Sequence, residues 1–142
     1  MTRKLLSILL AVAMLGCCAL PAFAEETYTV GICQLVQHEA LDAATKGFCD
    51  ALTDALGDKV TFIEQNASND IPTCATICSG LVAEDVDLIL ANATPALQAA
   101  ATATDTIPIL GTAVTEYGVA LDIENFDGTV GGNISGSSDL AP

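Results

Sequence analysis

Apolar residues along this chain recur with two different periods. Residues 28–35 (YTVGICQL) form a β-rich apolar run, and EALDAATKGFCDALTDALG follows at residues 39–57. There Leu41, Thr45, Phe48, Leu52 and Leu56 recur at helical spacing, and Gly57 is the residue type that ends such a helix. The alternation then repeats. VTFIEQNA (60–67) predicts a second strand and DIPTCATICSGLVAED (70–85) a second helix, with Asp70 as its N-cap and Pro72 tolerated in its first turn. VDLILANA (86–93), TPALQAAATATD (94–105) and IPILGTAV (107–114) predict a third strand, a third helix and a fourth strand.

Strands that are continuous apolar runs, joined through helices by short connectors, predict a parallel sheet covered on both faces. The fold class is therefore α/β, a three-layer, Rossmann-like arrangement. The third helix is thin, its inner face mostly alanine around Leu97. After Thr115 the pattern loosens into glycine-containing loops, with one short strand expected near Asn133 to Ser135.

The first 24 residues stand apart from this pattern. Arg3 and Lys4 precede an apolar run from Leu5 to Leu20, and Ala22-Phe23-Ala24 ends it as a small-x-small cleavage site. Residues 1–24 thus read as a signal peptide, and residues 25–142 as one exported domain, periplasmic or at the cell surface. Leu15-Gly16-Cys17 offers a second reading, a lipobox in which Cys17 would be lipidated. The apolar residues after Cys17 favour simple cleavage after Ala24.

Charge excludes some partners. The formal net charge of -14 becomes -16 once Arg3 and Lys4 are removed, leaving Lys46 and Lys59 as the cations of the domain. So acidic a surface repels phosphate backbones, and no nucleic-acid partner is expected. Cys33, Cys49, Cys74 and Cys78 remain after cleavage, without the spacing of a disulfide framework. They read as small apolar core residues. An alternative gives Cys74 and Cys78, one turn apart on one helix face, thiol or metal chemistry in a secreted α/β domain.

Ligands of open parallel sheets bind beyond the carboxyl ends of the strands. Those ends read Gln34 with Gln37 and His38, Asn66 with Ser68 and Asn69, Asn92 with Thr94, and Thr112 with Thr115 and Glu116. All can hydrogen-bond, yet no acid, base or nucleophile is paired for catalysis. A polar rim around an apolar pocket suits selective binding of a small molecule. Thr94 is expected to cap the third helix through its hydroxyl, with Pro95 at the first helical position, where it wastes no donor. The free N–H groups there would receive a carboxylate. Glu116 would meet an ammonium group or stand as an exposed loop acid, Tyr117 would lend an aromatic wall or pack on the rim, and His38, the sole histidine, reads as a loop or capping residue.

The stretches VGICQLVQHEALDAATKGFCDAL, EQNASND, VDLILANATPALQAA, IPILGTAVTE and GGNISGSSDL resemble, in order, the N-terminal half of ABC transporter substrate-binding proteins of the tryptophan/tyrosine type. The likeness covers essentially residues 28–142. It implies a type I periplasmic-binding-protein fold, two α/β lobes closing on an amino-acid-like, often aromatic, ligand that passes to a membrane permease. No cofactor and no catalytic or metal residue is implied. The resemblance puts Gln34, His38, Asn66, Asn92, Thr94, Thr115 and Glu116 at the ligand. Ser137, Ser138 and Asp139 match the segment where the chain leaves the first lobe. Cys33, Glu116 and the pair Gly136-Ser137 depart from the usual residues. The chain is expected to be the first lobe of a longer protein, lacking its C-terminal lobe; a ligand-sensing ectodomain of the same fold is the other use of such a lobe.

Overall fold

The computed structural model describes residues 26–139. The signal peptide expected over residues 1–24, with Cys17, lies outside the described residues. Five strands form one sheet: β1 (Tyr28–Gln34), β2 (Val60–Asn66), β3 (Leu88–Asn92), β4 (Ile109–Val114) and β5 (Ile134–Ser138). Their order is β2-β1-β3-β4-β5 and every neighbouring pair is parallel. Helices α1 (Glu39–Leu56), α2 (Ile71–Ala83), α3 (Thr94–Ala103) and α4 (Tyr117–Ala120) lie between successive strands.

Strand alternation sends side chains to opposite faces, and each face has its own apolar cluster. Val30, Ile32, Val60 and Leu90 pack with Phe48, Leu52 and Leu56 of α1. On the other face Cys33, Ile89, Ala91, Ile109 and Val114 pack with Cys74, Cys78 and Leu81 of α2, Ala96, Leu97 and Ala100 of α3, and Tyr117 and Ala120 of α4. The result is the three-layer α/β lobe expected from the sequence. A methyl group at Gly31 would sit 2.7 Å from Leu81, so the missing side chain lets α2 settle close on β1.

Local chemistry fixes the helix ends. Gly57 closes α1 at φ 62°, and the Asp70 carboxylate accepts the Thr73 N–H at 3.0 Å to start α2. His38 caps α1, its Nδ1 accepting the Ala40 N–H at 3.2 Å. The expected Thr94 cap is not what forms. Thr94 is already helical, and the cap position of α3 is Ala93, which has no side-chain oxygen to offer. The strand-to-helix junction sits one residue earlier because the Ala93 N–H bonds the Thr112 carbonyl, holding Ala93 to the sheet.

Two further differences follow from length. Four residues are too few to show a helical period, so α4 falls in a stretch that reads as loop. The last strand runs Ile134–Ser138, beyond the expected Asn133 to Ser135, because the pairing with β4 is made by the backbone of a Ser/Gly segment.

Candidate functional site

Parallel registration brings the strand ends into one row. Asn66 pairs with Gln34, Gln34 with Asn92, and Asn92 with Thr112. Around this row stand the loop after β1, the loop Ala67–Asp70, the start of α3 and the turn Thr115–Glu116.

The centre of the row is closed off by its own hydrogen bonds. The Gln34 carboxamide donates to Asp42 Oδ1 at 2.6 Å and to the Val36 carbonyl at 2.9 Å, and it accepts from the Thr45 hydroxyl at 2.7 Å. Asn92 Nδ2 donates to the Leu41 carbonyl at 2.8 Å and to Thr45 Oγ1 at 2.9 Å, with Gln34 Oε1 at 3.4 Å. Gln34 is 7% exposed and Asn92 0%. Expected on the rim, both are instead enclosed under α1, and their side chains fasten the ends of β1 and β3 to that helix. Asn92 Oδ1 is the one buried side-chain polar atom without a partner among the described residues. Asp42 and Thr45 complete this network, a role that the helical spacing of Thr45 does not by itself reveal. The available signal was a threonine amid the apolar face of α1.

The junction at Ala93 faces the same row. Ala93 has φ 92° and ψ 156°, a region that side chains other than glycine rarely enter, at a cost of about 1–3 kcal/mol. No side chain caps α3 and its first turn carries no acid, so the positive end of its dipole has neither of these compensations. Thr94 is half-buried here.

Two cavities flank the row; of the expected residues, Gln34 and Asn66 line one and Thr115 and Glu116 the other, while His38, Asn92, Thr94, Ser137 and Asp139 line neither. One, of about 920 Å³, runs from Gln37 and Ser68 down between α1 and the edge strand β2, and includes Gln34 and Asn66. Asp42, Asp50 and Glu64 make it acidic, and Lys46 is ion-paired with Asp50. The other, of about 460 Å³, is lined by Thr115, Glu116, Ser138, Tyr117, Phe126 and Val130, among others. Asn66 is exposed, but its Oδ1 accepts the Ser68 N–H at 2.8 Å and shapes the loop. His38, Ser137 and Asp139 are exposed, and the Asp139 N–H bonds the Val114 carbonyl at 3.0 Å.

The Glu116 carboxylate caps α4, accepting the Gly118 N–H at 2.8 Å and the Val119 N–H at 2.7 Å. Each oxygen keeps a further lone pair for a donor. Tyr117 is buried against the sheet rather than forming an open aromatic wall. Its hydroxyl donates to the Ser137 carbonyl at 3.3 Å, in a slot between Gly111 and Gly136 that a methyl group at either glycine would fill. Burial, then the nearby Asp139 carboxylate, raises the Tyr117 phenol above its ordinary range. No group of three or more His, Cys, Asp or Glu among the described residues is placed to hold a metal ion.

Comparison with known proteins agrees with this architecture. The profile of the family described as ABC transporter substrate binding protein matches residues 29–142. A tyrosine-binding protein of Clostridioides difficile is 47% identical over 116 residues, which cover 78% of this chain and 32% of that protein. The ligand-free, open structure of a Clostridium difficile substrate binding protein with adhesive properties superposes with a TM-score of 0.75 at 42% identity, covering 81% of this chain and 40% of that one. A Streptococcus pneumonia ABC domain in complex with L-Trp gives 0.73 at 34% identity, covering 80% and 39%. The chain therefore spans about a third of the curated relative and two fifths of the solved chains. This family consists of solute-binding proteins, not of an enzyme class, and the chain belongs to it: it is a member of the ABC transporter substrate-binding proteins.

Proposed function

We propose that this chain supplies one lobe of the extracytoplasmic binding component of an ABC importer, taking an amino-acid-like ligand of aromatic size against the strand-end row. The observation that carries the reading is the start of α3. A ten-residue helix begins at the carboxyl edge of the sheet with no side-chain cap, behind an alanine held in a strained conformation. Such an end attracts a carboxylate. Thr94 beside it and Glu116 across the row would bind the carboxylate and the ammonium group of one amino acid. Thr115, His38 and Asn66 would complete the rim, and Ser137 and Asp139 would lead towards a second lobe. Gln34 and Asn92 act from behind, by holding the strand ends in place.

Binding in such a receptor is closure of two lobes about a hinge, a shift between open and closed populations that a permease then reads. One lobe alone offers an open shelf. A loss of about 4 kcal/mol of contacts weakens binding about a thousandfold. Residues 25–142 are therefore expected to bind tyrosine or tryptophan weakly, and a chain carrying a second lobe tightly. Calorimetric titration of both chains with each amino acid and its amide tests this. The two-lobe chain should lose at least tenfold for the amide; equal affinities for acid and amide would remove the carboxylate site.

A further inference from the structure

β2 is an outer strand of the sheet, paired on one side with β1 and on the other with no strand among the described residues. Its ladder fixes which backbone groups are used. The Ala67 N–H donates to the Gln34 carbonyl. By the two-residue alternation of a parallel ladder, Thr61, Ile63 and Gln65 also turn their N–H and C=O groups to β1. Phe62, Glu64 and Asn66 therefore turn theirs away from the sheet, outside the ladder. Glu64, Gln65 and Asn66 are exposed, so this row is open to solvent. A strand that presents such a row is a template for another strand.

The surroundings of the edge decide which strand it accepts. The cavity of about 920 Å³ opens along it, between β2 and α1. Asp42 and Asp50 line that cavity from α1 and Glu64 lines it from β2, while Cys49 and Ile32 supply apolar wall. Lys46 is the one cation of the lining. Its side chain is 73% exposed and ion-paired with Asp50, a contact that water screens and that an incoming cation can replace at little cost. A second copy of this chain is the wrong occupant. It would bring another Glu64 and, over the whole chain, a formal net charge of -14.

We propose that the β2 edge docks an extended, lysine- or arginine-bearing peptide segment of a partner protein, which joins the sheet as a further strand beside β2. Main-chain hydrogen bonds to Phe62, Glu64 and Asn66 hold the segment, and the side chains at alternate positions select it. Neighbouring strands lie about 4.7–4.9 Å apart and every second side chain shares a face. Half of the segment's side chains are thus on the α1 side, over the cavity, where a cationic head meets Glu64 and Asp50. At a rise of about 3.3 Å per residue, about five residues span Phe62 to Asn66. Glu64 then acts twice: it repels copies of this acidic chain and attracts a basic strand.

This inference stands apart from the ligand reading and is tested with no amino acid present. The probe is a blocked heptapeptide of alternating lysine and valine. Its control is the same peptide methylated on every backbone nitrogen, which keeps the charge and loses the donors. In an NMR titration of the protein, the Phe62 and Glu64 amide signals should shift, and their protons should exchange about tenfold more slowly at saturation. Backbone methylation of the peptide should weaken binding about tenfold or more, and so should Glu64→Lys in the protein. Glu84→Lys, which reverses an exposed acid at the end of α2, should leave binding unchanged. The proposal is overturned if the peptide does not bind, if the affected amides lie away from β2, or if Glu64→Lys binds as wild type does. It is equally overturned if the methylated peptide binds as well as its parent, or if Glu84→Lys weakens binding as much as Glu64→Lys, since either result means attraction to an acidic surface alone.

Discussion

Thr45 shows how much one hydroxyl can hold. It donates to Gln34 and accepts from Asn92, joining two strand ends to one helix. Thr45→Val keeps the shape but leaves a buried carbonyl and a buried amide each short of a partner, so a loss of about 1–3 kcal/mol is expected in urea unfolding. An unchanged midpoint would show the network to be idle. The glycine slot makes a second expectation. Gly111→Ala drives a methyl into the Tyr117 hydroxyl and should cost about 1–3 kcal/mol. In a Tyr117→Phe background that cost should shrink, a coupling that a double-mutant cycle measures. Tyr117 also gives a pH expectation. Its phenol is raised in the fold, so its contribution is full below the ordinary value near 10 and is lost as pH rises through the raised one. Stability should therefore fall more steeply above about pH 10 in wild type than in Tyr117→Phe, which has no phenol to ionise, and equal alkaline slopes in urea unfolding would show the phenol to be unshifted. The hydrogen-bonded partnerships could not be read from the sequence, because they join residues 11 to 58 positions apart through the fold.

Elements were more legible than side-chain partners. Leu41, Thr45, Phe48, Leu52 and Leu56 announce α1, and Asp70 and Gly57 mark real helix ends, because periodicity and caps are local. The start of α3 was misplaced by one residue, since Thr-Pro suits either the cap or the first turn and only the bond from Ala93 to Thr112 decides. That correction changes what mutation should do. Thr94→Ala should cost α3 no cap, while Ala93→Gly should be neutral or stabilising by up to about 1 kcal/mol, because glycine enters this backbone region freely. Thermal melts compare the two, and a clear loss for Ala93→Gly would mean the strain is absent. At α2 the ordinary rule holds: Asp70→Ala should cost about 0.5–2 kcal/mol, with Asp70→Asn nearly silent.

At the scale of the molecule, continuous apolar strands alternating with helices were enough to give the parallel sheet and its three layers. They could not give the division of the strand-end row into an enclosed centre and two flanking cavities, which depends on which polar side chains find one another. Nor could they show how the two outer strands differ. β2 carries Glu64 on its exposed stretch, whereas Ser135–Ser138 of β5 is exposed and uncharged. An uncharged outer strand is a template for pairing with another copy, and here the net charge of residues 25–142 opposes that encounter by long-range repulsion. Ionic strength should then act in two directions. Added salt screens repulsion within a copy and raises the melting temperature, while it also lets copies approach. Light scattering across a salt series, with Ser137→Lys as the comparison, is expected to show association that grows with salt in wild type and not in the variant. The solubility of this lobe is, in that sense, a colloidal property lent by its carboxylates, and the outer strand is where it fails first.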